Sequence, residues 1–119
     1  MKTLLIKLEP IIWALFGAGM MVVALLMPGW LLMVGVAGPM DVLWAEALSY
    51  DRMHGLFGHP IGRLIAAAAI ALPLWAGAHH IRHLAIDFGG IARDTVFAPL
   101  CYAVALAGSV AAVLAVLAL

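Results

Sequence analysis

Three long stretches of the chain carry no charged residue. The first runs from Pro10 to Met40, between Glu9 and Asp41; the second from Leu64 to Ile81, between Arg63 and Arg82; the third from Thr95 to the C-terminus at Leu119. Each is long enough to cross a bilayer, which takes about 20 apolar residues as a helix. No run alternates apolar with polar residues as a barrel strand must. The pattern therefore predicts an all-α membrane protein. It forms one membrane-anchor domain over 1–119, with three transmembrane helices spanning approximately 10–37, 60–81 and 96–118.

Prolines sharpen these limits. Proline suits the first helical position, where its missing N–H costs nothing, so Pro10 is expected to open the first helix and Pro60 the second. Pro28 and Pro73 fall inside their runs and should free the carbonyls of Ala24 and Ala69. The third helix is expected to start near Thr95 or Pro99. Ala103, Ala107, Ala111 and Ala115 recur every four residues in it. They make a small-residue face suited to close packing by a partner helix. Lys2 and Lys7 resemble the start of a signal peptide. The apolar run behind them is much longer than a signal core and lacks a clear small-x-small cleavage site, so it is expected to remain as a span.

Composition agrees with the pattern and narrows the function. Of 119 residues, 67% are hydrophobic and 10% charged. A chain this short could not hide that much apolar surface from water, and it lacks the high charge of a disordered one. The formal net charge is +0, which leaves no basic footprint for nucleic acid. Cys101 is the one cysteine, so the chain has neither a disulfide framework nor a cysteine cluster for zinc or iron–sulfur. Basic residues set the orientation. The N-terminal tail and second loop hold Lys2, Lys7, Arg82 and Arg93; the first loop holds Arg52 and Arg63 beside Asp41, Glu46 and Asp51. The positive-inside rule puts the N-terminus in the cytoplasm and the C-terminus outside.

Five histidines are many for so apolar a chain, and three cluster in His79-His80-Ile81-Arg82-His83. His79 lies 16 residues beyond Arg63, about 24 Å along a helix, which brings the cluster to the cytoplasmic interface. His79 and His83 share a face, and Arg82 is one turn from His79. Such a face can donate hydrogen bonds to a carbonyl and move protons near neutral pH; it can equally be a set of interfacial residues fixing a helix end. Glu9, Trp13, Phe16, Gly17 and Met20 follow helical spacing at the same membrane side. Trp13 offers an indole donor on a flat ring, and Gly17 leaves room beside Phe16. Together they can wall a slot for a flat ligand, or form an aromatic belt with a glycine packing contact.

A flat lipid-borne ligand with two carbonyls would be a quinone, whose oxidation from quinol needs donors for the oxygens and an acceptor for each proton. All six acids lie outside the apolar runs, so the intramembrane acid of a proton-coupled transporter is missing. Haem b would need two opposed ligands. His79 and His83 lie on one face of one helix, and His54 and His59 lie near the other interface.

Several segments, taken in order, resemble the D subunit of bacterial quinol:fumarate reductase, one of its two small hydrophobic anchors. They are Glu9-Pro10 with Trp13, Leu15-Phe16-Gly17-Ala18-Gly19, Ala47-Leu48-Ser49-Tyr50-Asp51-Arg52, Ile61-Gly62-Arg63, and Leu72-Pro73-Leu74-Trp75 with Gly77, His79, His83 and Asp87. The third helix matches only as an apolar span. The resemblance implies a complex of four subunits in the bacterial inner membrane. A flavoprotein with FAD reduces fumarate, and an iron–sulfur subunit passes electrons to it. The C and D anchors hold both on the cytoplasmic face and form a menaquinol site. It implies that Trp13, Phe16 and Gly17 line that site. It implies no haem, which anchors of this two-chain type lack. The family's second helix continues from His79 with an arginine, but that position here holds His80, and Arg82 lies two residues later; either can take its place.

The expected function is thus a membrane anchor subunit of quinol:fumarate reductase, not catalytic alone. Glu9, Trp13, Phe16, Gly17, His79, His80, Arg82 and His83 are the expected quinol-pocket residues, with no metal ligands. His79 or His80 is expected to bond a quinone oxygen, His83 to help export protons, and Glu9 to support the entrance. Trp30, Trp44 and Trp75 read as lipid-facing or packing residues. The alternatives are a haem b-bearing anchor of a succinate dehydrogenase and a purely structural membrane subunit.

Overall fold

The computed structural model describes residues 2–40 and 47–119. Trp44, with Asp41 and Glu46, lies outside them. The described chain is helical: α1 (Lys2–Leu31), α2 (Tyr50–Gly58), α3 (Pro60–Gly89) and α4 (Asp94–Leu117). A π-helical turn, Leu32–Ala37, extends α1, and a 3₁₀ turn, Ile91–Arg93, leads into α4. Three segments, Ile6–Ala37, Pro60–Gly89 and Ile91–Leu117, are long and apolar enough to cross a membrane.

Helix α3 begins where its proline predicts. Pro60 occupies the first turn, and the Ile61 N–H donates to His59 Nδ1 at 3.3 Å. One orphan donor of the helix start is thereby satisfied. The expectation for α1 is corrected: it starts at Lys2, with Pro10 inside it. The leucines, lysines and glutamate before Pro10 are good helix formers. An interior proline removes one backbone bond, leaving the Ile6 carbonyl without its helical donor, but does not have to end the helix. The Ala24 and Ala69 carbonyls are left in the same way by Pro28 and Pro73. The far end of α1 loosens from α to π geometry soon after Pro28.

Helix α3 also runs past the expected limit at Ile81 and ends at Gly89. A charge marks the edge of the apolar run, not the end of hydrogen bonding. What stops the helix is Gly90, at φ 77°, whose N–H donates to the Ile86 carbonyl at 2.8 Å. The left-handed region strongly favours glycine. The short helix α2, in the first loop, was not anticipated.

Helix α3 is the middle of the bundle, with α1 on one side and α4 on the other. The molecule measures 52 × 30 × 18 Å, long enough to span a hydrocarbon layer of about 30 Å. Small residues set the approach of the helices. A Cβ on Gly19 would collide with the Leu72 carbonyl oxygen and lie 2.9 Å from Ala76 Cβ. Across the other seam Ala78, Ala98, Ala105 and Ala112 are buried. Close backbone contact of this kind substitutes for the hydrophobic drive that lipid removes. The outward faces are apolar, with Leu25 at 73% and Leu64 at 70% exposure. The α4 seam is made by Ala98, Tyr102, Ala105, Ala112 and Val116, so Ala103, Ala107, Ala111 and Ala115 face outward, away from α3.

Candidate functional site

The predicted residues gather at the end of the bundle where α1 begins, α3 ends and α4 begins. His79 stands at the junction of the three helices. It is 4% exposed, while its neighbour His80 is exposed. Toward α1 it meets two aromatic rings, with centroids 5.2 Å away for Trp13 and 4.5 Å for Phe16. Trp13 and Phe16 pack edge to face at 5.7 Å, a favoured aromatic geometry. His83, one turn on, places its ring 4.5 Å from that of His79. This is the shared face the four-residue spacing predicts.

His80 lies one residue around the helix and turns to α1. Its ring is 5.3 Å from that of Phe16, and Nε2 is 3.4 Å from Met20 Sδ. Apart from its chain neighbours and the backbone of its own helix turn, no atom comes within 4 Å of where a Gly17 Cβ would sit. The space expected there is open.

Arg82 turns the other way, to α4. Its Nε and Nη2 donate to Asp94 Oδ1 and Oδ2 at 2.7 and 2.8 Å, and Nη1 donates to Tyr102 Oη at 3.1 Å. The paired bonds to one carboxylate form the planar fork that suits a guanidinium. Tyr102 Oη also lies 3.0 Å from His79 Nδ1. A cleft of about 570 Å³ opens here, lined by Ile6, Glu9, Ile12, Arg82, Asp94 and Tyr102 among others.

The eight predicted residues therefore divide. Glu9 and Arg82 border the cleft. Trp13, Phe16, Gly17, His80 and His83 form a half-open wall outside it, with Trp13 54% exposed. His79 joins the two. The wall has a floor of rings and imidazoles but no opposite side among the described residues.

Asp94 and Tyr102 were not anticipated. Asp94 served only to bound the apolar run. Eight residues separate it from Tyr102, close to two helical turns, which was the available sign of a common face. Ser109 is a similar case. Its hydroxyl accepts the Trp75 indole N–H at 3.1 Å and donates to the Ala105 carbonyl at 2.7 Å. Trp75 is thus a packing residue with a fixed partner, while Trp30 is half exposed.

The profile of the fumarate reductase D subunit family matches residues 6–117. The chain belongs to that family. The curated fumarate reductase D subunit of Vibrio vulnificus is 44% identical over 75 residues, which are 63% of this chain and 60% of that protein. That of Photobacterium profundum is 41% identical over 63% of this chain and 62% of its own length. That of Vibrio cholerae is 40% identical over 63% and 58%. The match spans about three-fifths of the length of these relatives. With its three apolar helices, this member of the family is a multi-pass membrane anchor.

Proposed function

We propose that this chain anchors a quinol:fumarate reductase in the bacterial inner membrane and supplies one wall of its menaquinol site. With the second anchor, the C chain of the reductase, it holds the iron–sulfur subunit and the FAD-bearing flavoprotein on the cytoplasmic face. The N-terminus lies in the cytoplasm and the C-terminus in the periplasm. The excess of Lys2, Lys7, Arg82 and Arg93 over Arg52 and Arg63 supports this orientation.

The observation that carries the reading is the setting of His79. It is buried, bonded on one edge to Tyr102, and faces the Trp13 and Phe16 rings. The open space at Gly17, beside those rings, fits a flat head group entering from lipid. A wall with one side open fits a pocket that a partner protein completes. Bound menaquinol supplies electrons for fumarate reduction. Within this chain, His79 Nε2 or His80 meets a quinone oxygen, Trp13 bounds the ring, and Glu9 supports the entrance. His83 is exposed, on the same face as His79, and carries protons toward water. The one-face placement of His79 and His83 leaves no room for a macrocycle between their rings. This disfavours a haem held by that pair.

The test is His79→Ala in the assembled complex. The expected result is slowed menaquinol oxidation with fumarate reduction by an artificial dye nearly retained. Equal loss of both activities, or loss of neither, overturns the assignment.

A further inference from the structure

His79 is the one buried histidine among the described residues, and its orientation is not left to packing alone. Its Nδ1 lies 3.0 Å from Tyr102 Oη. Tyr102 is itself held. Its ring is buried and stacked on Trp75 with centroids 6.0 Å apart, and its oxygen accepts the Arg82 Nη1–H. Arg82 has donors only, so the direction of that bond is not in question. Asp94 in turn fixes the guanidinium with two bonds. Constraint therefore passes from Asp94 to Arg82, to Tyr102 and to His79. The Nε2 edge of His79 has no hydrogen-bond partner among the described residues and is not sealed off as a buried unpaired atom.

We propose that Tyr102 is a positioning residue for His79, its hydroxyl fixing the orientation and tautomer of the imidazole that meets the quinol. This rests on the assignment of His79 to the quinol site. A phenol suits the task because it donates and accepts. When its O–H donates to Nδ1, the proton of a neutral imidazole sits on Nε2 and can hold a quinone oxygen. When Nε2 instead accepts from a quinol O–H, Nδ1–H donates to the phenolic oxygen, and the phenolic proton turns into the cleft that Tyr102 lines. Phenylalanine can do neither, yet keeps the ring against Trp75.

The experiment compares Tyr102→Phe with His79→Ala in the complete reductase complex, using a soluble naphthoquinol and a dye donor. In Tyr102→Phe, kcat with naphthoquinol should fall about tenfold, the effect of one hydrogen bond of roughly 1.4 kcal/mol. KM and the dye-driven rate should stay near those of the unmodified complex. If His79→Ala is slow but Tyr102→Phe has normal kcat, the site stands and the positioning role fails. A rise in KM alone makes Tyr102 a shaping residue and overturns the proposal. So does loss of assembly or of the dye rate, which would make the hydroxyl structural. If His79→Ala is fully active with naphthoquinol, the site reading falls and this proposal with it.

Discussion

Asp94 holds Arg82 with both carboxylate oxygens, at 2.7 and 2.8 Å, and so clasps the last turns of α3 to the first turn of α4. Both side chains are about one-fifth exposed, where charged hydrogen bonds count for more than at an open surface. Asp94→Ala should lower the unfolding free energy of the detergent-solubilised complex by about 1.5–3 kcal/mol. Arg82→Lys, which cannot make the fork, should lose part of that. The exchanged pair Arg82→Asp with Asp94→Arg should recover stability relative to either single change. Thermal unfolding of Arg82→Asp, Asp94→Arg and the exchanged pair reads the coupling; strict additivity would mean the clasp contributes nothing.

Two glycines on α1 should behave in opposite ways. Gly19 sits against the Leu72 carbonyl, whereas the space beside Gly17 is open. Gly19→Ala should push α1 off α3 and reduce the yield of assembled complex. Gly17→Ala should assemble normally but raise KM for quinol, because its methyl group enters the slot proposed beside Trp13. Similar yields from the two variants would contradict the packing described for Gly19.

Ser109→Ala should cost about 1 kcal/mol by leaving the Trp75 indole N–H unpaired in an apolar setting. Adding Trp75→Phe removes the orphaned donor as well. The loss in the double variant should then be smaller than the sum of the Ser109→Ala and Trp75→Phe losses. A double variant that loses the sum of both single effects would show that the bond at 3.1 Å is not what links them.

Orientation can be read by labelling. In a Cys101→Ser background, cysteine at the exposed Asp51 should react with a membrane-impermeant maleimide in spheroplasts. Cysteine at the exposed Asp87 should react only after the membrane is opened. The reverse pattern would invert the topology proposed from the basic residues.

Much of the fold was legible because a bilayer imposes simple demands. The uncharged stretches from Pro10, Leu64 and Thr95 each coincide with a long helix, and Pro60 marks its start correctly. Pro10 misled because a helix can absorb one missing donor when good helix formers precede it. Arg82 misled as an end marker because a charge bounds the apolar run without interrupting backbone hydrogen bonds, so α3 continues to Gly89. Within the site, the common face of His79 and His83 follows from a four-residue spacing, and the nearness of Trp13 to Phe16 from a three-residue one.

Helical periodicity and the cost of charge in lipid thus settle, from residue order alone, which segments form the three long helices and at which end of them His79, His80 and His83 gather. They do not settle which neighbour each polar side chain addresses. Arg82 belongs with α4 and His80 with α1 because α3 lies between those helices, and residues one or two positions apart then point to different partners. That choice depends on close approach through Gly19, Ala76 and Ala98, a relation between distant parts of the chain that no local spacing carries. Folding alone brings Tyr102 to His79, across 23 positions.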